Sequence, residues 1–509
     1  MGQKAYFEFL TAKGIADAGQ EKELARLKAA LAQPGAKMLL HLHGGLVDQQ
    51  SGQERAARLA GTGDHAFNAG PDWTQVYIVW RTGAFEELKR NWEELLDKDK
   101  LYKAIVSKLI SFTAQRLSLP SFEGRAAADV YPLDEDEVME RLLGRGDTRE
   151  PFADVDTTID QNRGNETRAV MAPDKTSGEL VLEFGAYLAK DLLFQSAIAD
   201  INAAANDEID GRSAETDGAV ASGQGMLARL DDEVTAEIEP AMITDGKGKS
   251  ARGLVSFGIT LVRHASAIAL RVFERFRHHR DHGLHATIVE EVCRELYGDL
   301  IGSKVWSWMV RDAALHFGPG GFGNELLGVL PAGTNLRISV TAHSAGAIWA
   351  SHLLLAMTRD KVGHKIDLCL LAPAVRKDLF VEALLASSAR IGRTHMFTMN
   401  DAFERRDAVL GHDKGYIYPS SLLYLVSGMF ELRDKNAYVD APLIGLQRFV
   451  GVSWLDPAET EAMAAVAQFF AQPDKAISYS KDAMTDADTH GGFDDNPLTL
   501  KSVKALFLS

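Results

Sequence analysis

The residue of this sequence whose setting most suggests chemistry is Ser344. Residues 336–341 before it form an apolar run rich in β-branched side chains, which predicts a buried strand, and apolar residues at helical spacing follow in 347–357. Ala342 and Gly346, two positions to either side of the serine, are small, as a sharp turn from strand into helix requires. The spacing therefore predicts a nucleophile elbow, in which Ala342 replaces the glycine that more often occupies this position.

A serine hydroxyl is a poor nucleophile at neutral pH, so it needs a general base and a group that orients the base. The candidate base is His490, which lies near the end of the chain in a loop with Gly491 and Gly492. Fifteen histidines are present, so the position of His490 carries this interpretation rather than its residue type. His43 and His343 flank the predicted site, and we expect them to support it through hydrogen bonds.

The candidate acid follows a predicted strand at 393–399. Asp401 comes directly after this strand, so its backbone is already at the carboxyl end of the sheet, and we favour it as the acid. Asp407 is the alternative, and it reaches the base only if the intervening chain folds back as a turn. Glu404 is a third option, although the two arginines that follow it equally predict a surface ion pair.

Another predicted strand, at 38–42, ends in His43, Gly44 and Gly45. Glycines allow the backbone to approach a substrate closely, because they carry no Cβ and tolerate positive φ. A Gly-Gly turn after a buried strand also occurs without any function. Together with the elbow, the loop predicts backbone N–H donors for a developing oxyanion, near Gly45 and from Ala345 after the serine.

The order of nucleophile, acid and base along the chain, with the His-Gly-Gly loop ahead of them, resembles the α/β-hydrolase superfamily and its serine esterase and lipase class. The resemblance covers residues 36–83 and 330–509, and the chain between them carries none of it. It implies these roles: Ser344 as nucleophile, His490 as base, Asp401 or alternatively Asp407 as acid, and the N–H groups near Gly45 and of Ala345 as the oxyanion hole.

Predicted strands and helices alternate on both sides of a long middle region, which implies an α/β fold with a mostly parallel, doubly wound sheet. We assign residues 1–84 and 326–509 to this α/β-hydrolase core. Residues 85–325 are mostly helical in pattern, for example at 184–202 and 254–276, and we interpret them as a helical insertion that caps the site. A scaffold or partner-binding domain is the alternative interpretation.

The composition is that of a globular protein, since 46% of the 509 residues are hydrophobic and 25% are charged. The net charge of −16 argues against a nucleic-acid binder and against attachment to an anionic lipid surface. Two cysteines, Cys293 and Cys369, make no disulfide framework. The N-terminus lacks an apolar signal core, and no run reaches the ~18 apolar residues of a membrane-spanning helix. We therefore expect a cytoplasmic protein without a transmembrane segment, although export without a cleaved signal is compatible with the sequence.

No cofactor and no metal are expected. His278 and His282 are four residues apart, as two metal ligands on one helix are, but no carboxylate completes a recognisable motif. The basic run at 271–280, which contains His278, is expected to be a solvated helix face.

These patterns predict a serine hydrolase that cleaves a carboxylic ester, a lipid ester or a thioester of a small molecule or lipid through an acyl-enzyme. An amidase or peptidase on the same fold is one alternative. A non-catalytic hydrolase-fold module that binds a protein partner through its helical insertion is the other. The joint presence of Ser344, a following aspartate, His490 and the His-Gly-Gly loop disfavours the non-catalytic alternative.

Overall fold

A computed structural model describes residues 5–45, 47–81, 99–117, 133, 135–143, 150–165, 177–209, 230, 234–237, 251–297, 303–332, 336–410, 417–431 and 439–508. Among the helices of these residues, none is both long enough and apolar enough to cross a membrane.

Eight strands in the described part of the chain form one sheet. In chain order they are β1 (Phe7–Ala12), β2 (Ile15–Ala16), β3 (Lys37–Leu42), β4 (Trp73–Trp80), β5 (Arg337–His343), β6 (Ile366–Leu371), β7 (Ile391–Met399) and β8 (Lys475–Ser480). Their order across the sheet is β2-β1-β4-β3-β5-β6-β7-β8. β2 pairs with β1 in antiparallel fashion, and the other neighbouring pairs are parallel. The predicted α/β fold with a mostly parallel sheet is therefore confirmed.

The central strands are buried along almost their whole length because helices cover both faces of a parallel sheet. Five of the six residues of β3 are buried, as are six of the seven residues of β5. The two strands are neighbours, and Leu42 is opposite Ala342 in their register. The loops that follow β3 and β5 therefore start at the same level of the carboxyl edge, which brings the His-Gly-Gly loop beside Ser344.

The helices that frame the site are, in chain order, α1 (Glu21–Leu31), α2 (Gln49–Ala60), α3 (Lys100–Leu117), α4 (Glu135–Leu142), α5 (Ala153–Asn165), α6 (Ser177–Leu188), α7 (Leu192–Ile209), α8 (Ala251–Arg277), α9 (Leu284–Leu296), α10 (Ser303–Leu315), α11 (Phe322–Val329), α12 (Gly346–Arg359), α13 (Lys377–Ser387), α14 (Asp401–Glu404), α15 (Leu422–Leu425), α16 (Pro457–Phe470) and α17 (Pro497–Val503).

The elements described between β4 and β5 are helical. α8 packs against α6 and α9, and α9 packs against α3, so these helices form a body of their own. α10 packs against α12, and α11 packs against α1 and α12, so the last two helices of this region lie on the sheet. The predicted boundary between residues 325 and 326 falls inside α11.

One predicted helix of the insertion, at 184–202, is in fact the end of α6 and the first part of α7. The Asp191 carboxylate lies between them and accepts the Phe194 N–H at 2.6 Å. An aspartate that caps the first turn in this way starts a new helix. The spacing of apolar residues in 184–202 does not indicate this break between two helices.

A buried polar cluster joins the insertion to the chain that follows α15. Arg280 contacts the carboxylates of Asp440 and Glu459, and the distance to Glu459 Oε2 is 2.6 Å. The ring nitrogens of His282 lie 2.8 Å from Glu290 Oε1 and 2.9 Å from Asp440 Oδ2. Arg280 is only 3% exposed. The expectation that the basic run is a solvated face is therefore wrong at Arg280, because the core supplies buried acidic partners.

Two further contacts bring the insertion and α10 to the carboxyl edge of the sheet. Arg405, which follows α14, forms an ion pair with Asp160 of α5 at 3.0 Å. Met309 of α10 lies directly against Gly45 in the loop after β3. Helices from the region between β4 and β5 thus stand beside the loops that carry the candidate site.

Candidate active site

The strand-to-helix turn that carries Ser344 has the strained backbone of an elbow. β5 ends at His343, α12 begins at Gly346, and Ser344 between them has a φ of 53°. This left-handed conformation is uncommon for a residue with a Cβ. Backbone hydrogen bonds hold it, because the Ser344 N–H donates to the Leu371 carbonyl at 2.8 Å and the Ser344 carbonyl accepts from Ala374 N–H at 3.0 Å.

Position 346 requires a residue without a side chain because the start of α12 crosses close to β3. A Cβ at this position would lie 2.6 Å from the Leu42 carbonyl oxygen, and that oxygen belongs to the backbone of β3 and cannot rotate away. The motif predicted a small residue here, and the backbone of β3 is the neighbour that requires it.

His490 brings an imidazole nitrogen to the serine. Its Nε2 lies 2.9 Å from Ser344 Oγ, in a 3₁₀ turn formed by His490–Gly492. Both residues are buried. Burial lowers the pKa of His490 well below its usual range, His343 and Arg55 lower it further, and Asp494 acts in the opposite direction. The ring is therefore neutral at neutral pH, which is the form that accepts a proton from a serine.

Asp407 is the carboxylate that reaches His490. Its Oδ2 accepts the His490 backbone N–H at 2.6 Å. Burial raises the pKa of Asp407 to about 7, the hydrogen bond from His490 lowers it, and the charge of Asp488 raises it. His490 Nδ1 is buried without a hydrogen-bond partner in the described part of the chain. The contact between Asp407 and His490 therefore runs through the backbone of the histidine in this structure, while its ring nitrogen stays open.

Asp401, which the sequence favoured as the acid, belongs to a different group of contacts. The Tyr424 hydroxyl donates to its Oδ1, and Arg405 Nε donates to its Oδ2 at 3.2 Å. Asn400 caps α14 by accepting the Phe403 N–H, so the chain turns back immediately after β7. That turn carries Asp407 to the backbone N–H of His490, whereas the described contacts of Asp401 are with Tyr424 and Arg405.

Glu404 does not form the surface ion pair that the sequence suggested. It is fully buried, and Ser421 is the hydrogen-bonding side chain near its carboxylate, where it acts to lower the pKa of Glu404. Burial raises the pKa of Glu404 well above its usual range, and the charges of Asp407 and Asp401 add to this effect.

The His-Gly-Gly loop lies against the elbow. A Cβ on Gly44 would be 3.2 Å from Ser344 Cβ, and a Cβ on Gly45 would be 2.8 Å from Ala345 Cβ. Ala345 is the N-cap residue of α12, where backbone N–H groups have no acceptor within the helix. The positive end of the helix dipole also points to this spot. Two backbone segments thus meet where an oxyanion next to Ser344 would need donors.

The histidines expected to give hydrogen-bonding support are indeed in contact with the site. His43 Nδ1 lies 2.6 Å from the Gly44 carbonyl oxygen, to which it donates. Burial lowers the pKa of His43 to about 4 and that of His41 to about 3, so both rings are neutral. His343 Nε2 lies 3.0 Å from the His490 carbonyl oxygen.

Two residues beside the site had no signal in the sequence. Asp494 follows the His490 turn, is 1% exposed, and lies with its Oδ2 3.2 Å from His343 Nδ1. Arg55 of α2 donates to the same oxygen at 2.8 Å. Both come from segments whose composition is ordinary for a surface, and only the tertiary packing brings them under the elbow.

The histidine pair considered for a metal does not lie on one helix face, because α8 ends before both residues. His278 contacts the Glu274 carbonyl, and His282 belongs to the buried cluster with Asp440. Within the described ranges, no group of three or more His, Cys, Asp and Glu side chains is arranged to hold a metal ion. Cys293 and Cys369 are free and buried.

A separate cavity of about 470 Å³ lies where the insertion meets the chain after β7. Asp156 and His285 line it from the insertion, and Asp401 and Arg405 line it from the sheet side. Burial raises the pKa of Asp156 to about 7, against a hydrogen bond from the Leu284 N–H. Ser344 and His490 do not line this cavity.

Comparison with known protein families, curated proteins and solved structures finds no match to this chain. The chemistry of the site therefore has to be inferred from its own geometry.

Proposed function

We propose that this protein is a serine hydrolase of the α/β-hydrolase superfamily, which cleaves a carboxylic ester, a lipid ester or a thioester through an acyl-enzyme. The observation that carries the proposal is the 2.9 Å contact between Ser344 Oγ and His490 Nε2. This contact forms at a strained strand-to-helix turn, with a glycine loop on the other side of the serine. That combination is what activation of a serine and stabilisation of an oxyanion require.

In the proposed mechanism, neutral His490 takes the proton of Ser344 as the serine oxygen attacks the carbonyl carbon of the substrate. The carbonyl oxygen becomes negative and receives N–H donors from Ala345 and from the loop at Gly45. Protonated His490 then gives its proton to the departing alcohol or thiol. Water, deprotonated by His490, hydrolyses the acyl-serine and restores the enzyme.

Asp407 is the proposed acid of the triad. Its carboxylate already holds the backbone N–H of His490, and catalytic hydrogen bonds in unliganded enzymes are often incomplete until substrate binds. A complete triad would need the open Nδ1 of His490 to face this carboxylate once substrate is bound. Asp407 would then fix the useful tautomer and stabilise the imidazolium that forms.

The helical insertion is the proposed cap. Ser344 is 2% exposed, and Met309 covers the glycine loop beside it. The ion pair between Asp160 and Arg405 ties the insertion to the segment that leads to Asp407. Substrate entry therefore requires a local opening, as in other lidded enzymes.

The experiment that tests the proposed function is hydrolysis of p-nitrophenyl esters of increasing acyl length by the wild type and by Ser344→Ala. Hydrolysis should fall on the order of 10⁶-fold in the variant, by analogy with serine proteases that lose their nucleophile. Ser388→Ala, at an exposed serine away from the site, is the matched control and should keep wild-type rates. Wild-type protein without esterase activity, or Ser344→Ala with full activity, would refute the proposal.

A further inference from the structure

A buried carboxylate, that of Asp494, lies beneath the candidate site. Its Oδ2 is 2.8 Å from Arg55 Nη1 and 3.2 Å from His343 Nδ1. The second contact has the distance of an ion pair but is not an aligned hydrogen bond. Arg58 Nη1 also donates to the Asp494 backbone carbonyl at 2.9 Å. A carboxylate taken fully out of water is kept charged only by such partners.

The contacts continue from Asp494 to the base. His343 Nε2 lies 3.0 Å from the carbonyl oxygen of His490, and the two imidazole rings stack with centroids 5.4 Å apart and planes at 28°. The His343 side chain therefore contacts both the backbone carbonyl and the imidazole ring of His490. His343 also directly precedes Ser344 in the chain.

The described contacts of the Asp494 carboxylate are with His343 and Arg55, and not with the ring of His490. Both short contacts are made by its Oδ2, while its buried Oδ1 has no hydrogen-bond partner among the described residues and lies 3.7 Å from Arg58 Nη2. The carboxylate that contacts His490 directly is that of Asp407, from the other side. In this structure Asp494 acts on His490 through its contact with His343 and through its charge.

The charges that face His490 come from four places. His343 on β5 and Arg55 on α2 lower the pKa of His490, whereas Asp494 on its own turn raises it. Asp407, after β7, accepts the histidine backbone N–H. Burial acts to raise the pKa of Asp494, but His343 and Arg55 hold this pKa well below its usual range. The Asp494 carboxylate is therefore negative throughout the working pH range.

We propose that Asp494 and His343 form a positioning pair, which holds the His490 turn in place and balances the charge around the base during proton transfer. This inference rests on the proposed function. Neither member exchanges a proton with the substrate or touches it. Arg55 locks Asp494 to α2, so the glycine loop, the elbow and the base turn share one buried anchor.

The two variants that test the pair are Asp494→Asn and His343→Asn. Removal of the Asp494 charge should lower the pKa of His490, and removal of His343 should raise it, each by roughly one pH unit. The acid limb of kcat/KM should move with it, to lower pH in Asp494→Asn and to higher pH in His343→Asn. Turnover should fall by up to about 10²-fold in both, with KM little changed, because the base is misplaced.

Two readouts are needed. One is the pH profile of p-nitrophenyl ester hydrolysis, and the other is the NMR titration of His490 in protein with ¹⁵N-labelled histidine, which needs no catalysis. Asp495→Asn is the matched control, since its carboxylate is more than half exposed and pairs at the surface with Arg58 and His65. The control should keep both the wild-type profile and the wild-type titration.

Opposite shifts in the two variants would support the pair, since a merely structural role lowers turnover without moving the two profiles in opposite directions. Profiles and titrations that coincide with those of Asp495→Asn would overturn it. If Asp494→Asn does not fold, His343→Asn decides alone: a raised pKa of His490 supports the pair, and an unchanged pKa overturns it. If the wild-type protein hydrolyses no ester but the two variants still shift the His490 titration in opposite directions by NMR, the proposed function is refuted and the positioning pair is supported.

Discussion

Ser344 Oγ lies 2.9 Å from His490 Nε2, although 146 positions separate the two residues in the chain. β6 and β7 lie between β5, which ends before the serine, and β8, which precedes the histidine. At ~4.8 Å per strand, the ends of β5 and β8 are roughly 14 Å apart. The segment at 481–489 spans this gap and returns His490 across the carboxyl edge to the elbow. Parallel strands make the meeting possible, because all of their carboxyl ends share that edge.

The identity of the acid is tested by a pair of single substitutions. Asp407→Asn keeps the side-chain shape but removes the charge beside His490, so turnover should fall by about 10³–10⁴-fold, by analogy with serine-protease aspartates. Asp401→Asn should keep near-normal turnover, because its carboxylate contacts Tyr424 and Arg405 instead. Steady-state kinetics on an ester substrate measures both. Loss of turnover in Asp401→Asn, together with full activity in Asp407→Asn, would instead support Asp401, the acid favoured from sequence.

Asp407 also predicts a pH-dependent stability. Burial raises its pKa from 3.8 in the unfolded chain to about 7 in the folded protein. Stability from this group is therefore fully present below pH 3.8 and is lost as the pH rises through about 7. The asparagine of Asp407→Asn stays neutral and avoids this loss. Urea unfolding should show the variant gaining about 2–3 kcal/mol on the wild type between about pH 5 and about pH 8. A constant difference across that range would disprove the shift.

Met309 is predicted to limit the space above the glycine loop. Because it lies against Gly45 and is fully buried, Met309→Ala should open room beside the reacting carbonyl and shift the preference toward longer or bulkier acyl groups. The substitution should also cost about 2–5 kcal/mol of stability, as other buried truncations do. The ester panel gives the acyl profile. Met463→Ala on α16 is the control for lost packing, and a profile that moves equally in both variants would remove Met309 from the pocket.

The close crossing of α12 and β3 predicts that Gly346→Ala is damaging. The added methyl would stand 2.6 Å from the Leu42 carbonyl oxygen, so β3 or the elbow must shift. We expect a loss of about 1–3 kcal/mol, the usual cost of overpacking, and a loss of activity because Ser344 moves. Gly363→Ala, where a Cβ meets nothing within 4 Å, should leave stability and activity unchanged. Chemical denaturation and ester hydrolysis compare the two, and equal behaviour would contradict the packing argument.

The sheet could be predicted from sequence because most of its strands are short runs dominated by apolar or β-branched residues. The strand predicted at 393–399 is β7 (Ile391–Met399), and the strand predicted at 38–42 is β3 (Lys37–Leu42). Ser344, His490 and the glycine loop were found for the same reason, since each follows a strand end. Short-range capping was harder to predict, as the division of 184–202 by the Asp191 cap illustrates.

The choice between the two aspartates, which the sequence left open, and the residues that the sequence missed depend on turns and tertiary contacts. Asp407 reaches the base only because Asn400 caps α14 and reverses the chain, and a four-residue helix leaves no periodic pattern. Asp494 and Arg55 are polar residues like many on the surface, and the burial of Asp494 follows from the packing of α2 against the His490 turn. A hydrophobic pattern reports which face of an element is buried, but not which polar side chains meet there.

The proposed hydrolase activity depends on Ser344 as an activated nucleophile, and covalent labelling with a fluorophosphonate measures this activation most directly. Such a probe reacts with a serine that has a base and an oxyanion hole, and does not need the natural substrate. We predict one adduct on the folded protein, located at Ser344 by peptide mass spectrometry and absent in Ser344→Ala. Folded wild-type protein that stays unlabelled, or an adduct that survives Ser344→Ala, would contradict the account.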